Sequence, residues 1–155
     1  MKVLITGNCG YVGSALSQYL IDAGHSVVGL DLCWFGTAGQ PREGEVFANG
    51  TSFKQLRADI RDLPTFTAAC VGVDAVIALA CISNDTSCQL DESLSNSINM
   101  EAFEPMVVAA KLMGVKRFIY CSSSSVYGIS DAPDVTEDHP LIPLTLYNRY
   151  KGQCE

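Results

Sequence analysis

Eight residues near the N-terminus, Thr6-Gly7-Asn8-Cys9-Gly10-Tyr11-Val12-Gly13, constrain the fold of this chain more than any other segment. They separate a short β-rich apolar run, Lys2–Thr6, from a stretch with helical spacing. In that stretch Val12, Ala15, Leu16, Tyr19, Leu20 and Ala23 fall at i, i+3, i+4, i+7, i+8 and i+11, one face of a helix. Gly24 stops the helix, and Ser26–Leu30 reads as a second strand ending at Asp31. Strand, turn, helix and strand within about 30 residues make one βαβ unit. Glycines at such a junction allow a tight turn and close approach of a pyrophosphate, while the helix N-terminus supplies N–H groups and partial positive charge. Gly7, Gly10, Tyr11, Val12 and Gly13 are therefore the candidate dinucleotide cradle, with spacing G-x-x-G-x-x-G rather than G-x-G-x-x-G. Glycines serving only a tight turn are the plainer reading, which the strand–turn–helix context disfavours.

Asp31 ends the second strand, where a carboxylate accepts hydrogen bonds from ribose hydroxyls and repels a 2′-phosphate. Leu32 and Cys33 follow and offer no cation to bind that phosphate, so NAD is expected over NADP.

The alternation continues. Residues 32–50 read as a long Gly-rich loop, Phe53–Ile60 as a weaker strand, and Asp62–Ala69 as a short helix with Pro64 in its first turn. Asp74–Ile82 is an almost pure apolar run, as in a buried parallel strand, and a polar loop follows from Ser83 to Gln89. A long helix is expected over Asp91–Met113, with Ile98, Ala102, Phe103, Met106, Val107, Ala110 and Met113 on its apolar face and a kink or break near Glu104 before Pro105. Val115–Cys121 is a strand, Ser122–Leu144 a loop, and a last helix starts near Leu144. This order predicts an α/β fold with a doubly wound parallel sheet. The composition, 48% hydrophobic and 17% charged in 155 residues, excludes a disordered chain and allows one core. Net charge is −7 without a basic patch, which disfavours nucleic acid as a partner. No apolar run is long enough for a signal peptide or membrane span, so a cytoplasmic protein is expected. Seven cysteines, an odd number with no C-x-x-C pair, fit reduced apolar fillers better than disulfides or zinc.

Near the C-terminus, Tyr147 and Lys151 are four apart and share a helix face. A free Tyr titrates near pH 10, and a nearby ammonium favours its phenolate. Tyr150 is a competitor by type, but four residues on it meets Cys154 rather than a cation. Ser122–Ser125 follow directly on the fifth strand, at the carboxyl end where ligands bind in open α/β sheets.

The ordered set TGNCGYVG (6–13), Asp31, ADIRD (58–62), VIALAC (76–81), RFIYCSSSSVYG (117–128) and YNRYK (147–151) resembles the extended short-chain dehydrogenase/reductases, in the NAD-dependent epimerase/dehydratase branch that acts mostly on nucleotide sugars. The resemblance covers the whole chain but only the first half of a usual member. It implies a Rossmann-type NAD-binding domain over 1–155, stopping before the last strands and the C-terminal substrate domain. It implies Ser123, Tyr147 and Lys151 as catalytic residues, with Lys151 also holding the nicotinamide ribose together with Tyr147. Ser124 and Ser125 become substrate-contact candidates. In similar 4,6-dehydratases these two positions are Asp-Glu, so the serines point to epimerase or simple hydride chemistry. Asp59 and Ile60 resemble adenine contacts, and Leu79 and Ala80 a cofactor-lining strand end in which Ala78 replaces the usual His and Cys81 an Ala. Asn99 matches an Asn that supports the active site, although Ala102-Phe103 stand where Gly-Thr is usual. Pro143, four before Tyr147, fits the loop into the catalytic helix.

The expected function is NAD-dependent epimerisation of a nucleotide sugar with Tyr147 as acid and base. A dehydratase, a reductase, a non-catalytic dinucleotide-binding module and an inactive fragment are the alternatives. A homodimer through the helix near 91–113 is a candidate partner. His25 and His139 lack metal-ligand spacing, and no metal is expected. Cys9 has no flanking cation to support a thiolate, and Trp34 and Phe35 read either as adenine-side contacts or as buried loop anchors.

Overall fold

The computed structural model describes residues 1–42, 44 and 46–155. Five parallel strands, β1 (Lys2–Thr6), β2 (Ser26–Asp31), β3 (Phe53–Arg57), β4 (Ala75–Ala78) and β5 (Arg117–Tyr120), form one sheet in the order β3-β2-β1-β4-β5. The sequence direction reverses at β1, between β2 and β4, which is the switch point of a doubly wound sheet. Val3, Leu4, Ile5 and Thr6 of β1 are all buried, so both faces of the central strand are covered.

The chain divides into two compact units, Met1–Ala80 with Pro105–Cys121, and Cys81–Glu104 with Ser122–Glu155. The first holds the sheet. Its core gathers Val3, Ile5, Ile21, Val27 and Phe53, with Leu16, Leu20, Phe47, Ile77 and Leu79 packed against them. Helix α1 (Tyr11–Asp22) buries Gly13, Ser17 and Ile21, and leaves Val12, Ala15, Tyr19 and Ala23 exposed. The expected apolar face is therefore rotated. Gly13 sets the rotation, because its Cα must lie against the backbone of the glycine turn (a Cβ there would stand 2.3 Å from the Gly7 carbonyl oxygen). Helix α2 (Leu63–Ala69) starts at Asp62, whose carboxylate accepts from Thr65 N, with Pro64 in the first turn as expected.

Three strands are shorter than the sequence reading. β3 ends at Arg57, opposite Asp31 where β2 ends, so Ala58–Ile60 lie beyond it. β4 ends at Ala78, opposite Thr6, where β1 turns away. Leu79 N still donates to Thr6 O and Ala80 N to the Thr6 hydroxyl, but Cys81 and Ile82 leave the sheet. β5 loses a residue or two at each end and is exposed along one side at Arg117 and Ile119.

At the amino end of the sheet, Asp74 accepts from Lys2 N at 2.9 Å and from Lys116 Nζ at 3.1 Å. These bonds, that to Lys2 foremost, hold its carboxyl below the usual carboxylate range. A depressed folded-state value stabilises the fold above the unfolded value and loses that contribution as pH falls through the folded one. Asp74→Asn is therefore expected to destabilise the protein near neutral pH, and the gap to the natural protein narrows below about pH 4. Urea unfolding at the two pH values checks it, and an unchanging gap contradicts it.

The second unit holds α3 (Asp85–Leu90), α4 (Glu92–Asn96), a π-helical turn (Ser97–Glu101), a 3₁₀ turn (Ser124–Tyr127) and α6 (Leu146–Gln153). Helix α3 lies where the polar stretch after β4 predicts a loop. Its side chains are mostly polar, yet Asn84 caps it by accepting from Ser87 N at 2.8 Å. The single long helix expected over Asp91–Met113 is instead α4, the π turn and α5 (Phe103–Leu112). Pro105 lies in the first turn of α5 and cannot donate to the Glu101 carbonyl, so the interruption falls on the π turn before it. Thr145 caps α6 by accepting from Asn148 N. Among the described residues, no helix is long and apolar enough to cross a membrane.

Candidate functional site

In the first unit the glycine turn follows β1 at the switch point. Gly7 has φ +76, and a Cβ on it would stand 2.6 Å from Ala80 N. A Cβ on Gly13 would meet three backbone atoms of Gly7 and Asn8 within 2.8 Å. Both positions therefore exclude a side chain by contact with backbone, which cannot rotate away. Gly10 caps α1 without any side-chain acceptor, leaving the first helical N–H groups, those of Tyr11, Val12 and Gly13, aimed out of the helix end. Tyr11 is almost fully exposed and Val12 largely so.

Asp31 ties this turn to the end of β2. Its Oδ2 accepts from Cys9 N at 3.0 Å and its Oδ1 from Cys33 N at 2.7 Å. Each oxygen keeps a further lone pair for another donor. Asp59 follows β3, and its carboxylate is gripped by the Arg61 guanidinium at 2.6 Å and by Arg61 N at 2.8 Å. The hydrogen bonds from the Arg61 side chain hold it below the usual carboxylate range. Ile60 is buried. Leu79 and Ala80 stand beside Gly7 and Thr6.

Four residues of this region were not singled out from the sequence. Asn8 is fully buried, and its amide donates to Gln40 Oε1 at 2.9 Å and Gln55 Oε1 at 2.7 Å, while Gln40 Nε2 donates to the Asn8 carbonyl at 2.7 Å. The Asn8 side chain fills the space that Gly29 leaves in β2, where a Cβ would come within 2.3 Å of it. A glycine inside an otherwise apolar strand was the available signal, since it marks close approach of another group. Cys9, Asp31 and Cys33 also cluster, with one ligand-type atom of each within 4.8 Å of the others. Trp34 and Phe35 are exposed rather than buried anchors.

In the second unit α6 presents Tyr147 and Lys151 one turn apart. Lys151 is buried, at 4% exposure, and its Nζ lies 5.8 Å from the centre of the Tyr147 ring. Tyr150 differs: burial above all, then the charges of Glu92, Cys88 and Glu101, push its hydroxyl up from the ordinary tyrosine value. That environment disfavours Tyr150 as a base.

Ser123 caps the 3₁₀ turn, and its Oγ lies 2.6 Å from Ser125 Oγ. The Ser125 hydroxyl donates to Asn148 Oδ1 at 2.6 Å. Since Ser125 has one proton, Ser123 donates to Ser125, and a relay runs Ser123–Ser125–Asn148. Ser124 is exposed. Asn148, on α6 beside Tyr147, had no sequence signal: it makes its contact across 23 residues. Asn99 lies in the π turn. Its amide accepts from Ile82 N at 2.8 Å and donates to Ile82 O at 3.0 Å, clamping the segment just after Cys81. The Asn99 amide is thus spent on protein backbone, which makes it a positioning group for that segment. His139 lies edge-on to Tyr127, with ring centres 6.1 Å apart, and His25 Nδ1 lies 3.4 Å from the N-terminal amine.

The model of the NAD dependent epimerase/dehydratase family matches residues 3–155. This chain belongs to that family. A UDP-glucose 4-epimerase of Mycolicibacterium smegmatis is 32% identical over 149 residues, 95% of this chain and 47% of that protein. A dTDP-glucose 4,6-dehydratase of Streptomyces griseus is 30% identical over 97% of this chain and 46% of its own length. Among solved structures, a UDP-glucose-4-epimerase from Stenotrophomonas maltophila with bound NAD and formylated UDP-arabinopyranose superposes with a TM-score of 0.86 at 30% identity, covering 99% of this chain and 46% of the other. The chain spans about half the length of the relatives it matches. The family is enzymatic and NAD-dependent, and the parallel sheet is that of its Rossmann-type domain.

Proposed function

We propose that this chain carries the cofactor-binding and proton-transfer residues of an NAD-dependent nucleotide-sugar epimerase. The observation that carries the reading is the pairing of Tyr147 with the buried Lys151 ammonium 5.8 Å from its ring, in a chain whose glycine turn admits no Cβ at Gly7 or Gly13. The turn fits NAD: Gly7 and Gly13 let the backbone fold tightly on itself, which sets the N-terminus of α1 at the switch point, and the N–H groups there, without a side-chain cap, supply counter-charge for a pyrophosphate. Asp31 holds the adenosine ribose and rejects a 2′-phosphate, with Asp59, Ile60, Leu79 and Ala80 lining the adenosine and nicotinamide sides. NAD, when bound, accepts and returns a hydride.

The residues of this chain then manage the proton. Tyr147 removes the proton of a sugar hydroxyl as the carbon beneath it is oxidised, and gives it back on reduction. Lys151 keeps Tyr147 ionised and holds the nicotinamide ribose with it. Ser123 turns its hydroxyl from Ser125 to the reacting oxygen, while Ser125 keeps its bond to Asn148. Ser124, exposed beside them, contacts substrate. Neither Ser124 nor Ser125 can serve as the carboxylate acid and base of a sugar dehydration, which favours the epimerase over the dehydratase among the relatives. Inversion follows when the ketone is reduced on its other face. A second copy docking along 91–113, where Val108 and Leu112 are exposed, is the partner this reading expects.

Calorimetry of the chain with NAD and with NADP tests the cofactor half. Heat with NAD and little with NADP is expected. A preference for NADP would overturn the role given to Asp31, and no heat with either would favour a fragment that binds neither.

A further inference from the structure

We propose that Cys9 and Cys33 form an oxidisable dithiol pair whose closure shuts the adenosine-ribose end of the cofactor cradle. The gating part rests on the NAD reading above; the pairing does not.

The two sulfurs are 3.7 Å apart, in contact but not bonded. They come from segments 24 residues apart that leave the same end of adjacent parallel strands, β1 and β2, so the sheet itself holds them within reach. Asp31 fixes both. Its two carboxylate oxygens accept from Cys9 N and Cys33 N, and the Cys33 thiol donates to the Asp31 carbonyl at 3.5 Å. Among the described residues Cys33 is the one non-glycine with a left-handed backbone, at φ +56. An L side chain adopts that conformation at a cost, and such outliers are a ground for seeking function. Both cysteines are partly exposed, so a small oxidant reaches them. Cys9, Asp31 and Cys33 are also metal-ligand types, and the sulfur-to-sulfur contact is what favours the dithiol.

The chemistry needs one low-molecular-weight disulfide, such as oxidised glutathione. Burial above all, then the hydrogen bond to Cys33 and the charge of Asp31, push the Cys9 thiol up to about 12, so Cys33 is the attacking group. The Cys33 sulfur attacks one sulfur of the oxidant, forming a mixed disulfide and releasing one thiolate. That thiolate takes up, through solvent, the proton that Cys33 lost; Cys9 then gives its proton to solvent base and attacks the Cys33 sulfur, and the second thiolate leaves and is protonated in turn. Two protein thiols are oxidised and one disulfide is reduced to two thiols. The new bond shortens the gap from 3.7 Å to about 2.05 Å and pins both segments over the carboxylate that the ribose must reach.

The experiment equilibrates the chain in glutathione redox buffers, quenches and alkylates it, and maps chymotryptic peptides, since cleavage after Tyr11 and Tyr19 separates the two cysteines. A Cys9–Cys33 cross-link is expected. NAD affinity of the cross-linked form should fall by about 5- to 150-fold, and NAD should shift the equilibrium towards the dithiol by the same factor. Reduced Cys33→Ser should bind NAD like the reduced natural chain and be indifferent to oxidised glutathione. Glutathione carried only on the exposed Cys121, with no cross-link, would overturn the pairing. A cross-linked chain with unchanged NAD affinity would overturn the gating. Failure of the reduced chain to bind NAD would sink the cofactor reading and the gating with it, while the cross-link is still decided by mass.

Discussion

Under the proposed function, Tyr147→Phe, made in a form that also carries a substrate domain, is expected to lower turnover of a nucleotide sugar by roughly 10²–10⁴-fold, the usual contribution of a positioned acid–base group. The substitution removes one oxygen and keeps the ring beside Lys151, so NAD affinity should change far less than turnover. The loss should fall on kcat, because the proton transfer belongs to the transition state rather than to binding. Tyr150→Phe is the matched control. Tyr150 lies on the same helix but is buried where its hydroxyl resists ionisation, so its removal should leave turnover within a few-fold. Assays of nucleotide-sugar epimerisation, run beside NAD calorimetry, separate the outcomes. Equal losses in the two variants would remove the acid–base role from Tyr147.

The largest structural effect is expected at Gly13. Gly13→Val places carbon where a Cβ would stand 2.3 Å from Gly7 O and 2.5 Å from Asn8 Cα. Backbone atoms cannot yield by rotating, so α1 must move away from the turn. A destabilisation of about 3 kcal/mol or more is expected, at the upper end of overpacking, together with loss of NAD binding. Ala15→Leu, on the exposed side of the same helix, should cost no more than about 0.5 kcal/mol. Urea unfolding and calorimetry read both variants. Similar stability for the two would contradict the assignment of the Gly13 contact as the one that docks α1.

The same contact explains what the sequence could and could not tell. The βαβ start and the alternation of strands and helices were legible, because period and turn residues are local signals. The buried face of α1 was not. Hydrophobicity picks out Leu16 and Leu20, which do pack on the core, but also Val12, Ala15 and Tyr19, which are exposed, whereas the sterics of one glycine bury Gly13, Ser17 and Ile21. Helix α3 was missed because DTSCQL has no apolar period; only the Asn84 cap betrayed it. Strand ends were overrun where the apolar run continued past its ladder partner, as at Leu79–Ile82. Of the candidate site, the placement of Tyr147 and Lys151 one turn apart and of the serine run after β5 was legible from spacing and motif order. Asn8, Gln40, Gln55 and Asn148 were not, since amide-to-amide and amide-to-hydroxyl contacts across 23 to 47 residues leave no pattern in the chain.

The two compact units are each made of two separate stretches, and the chain passes between them after Ala80, after Glu104 and after Cys121. Neither unit can therefore be cut out as a single piece of polypeptide. A gene fragment ending at Ala80 lacks β5 and α5, and one beginning at Cys81 lacks the strands β1 to β4 that β5 must join. Completing the sheet means looping out residues 81–104 before Arg117–Tyr120 can pair with β4, a closure whose entropy must be met before the pairing rewards it. Any dissection into independently expressed halves, or any limited proteolysis meant to release one unit, has to contend with this interleaving, which also ties the folding of the glycine turn after β1 to that of the segment carrying α6.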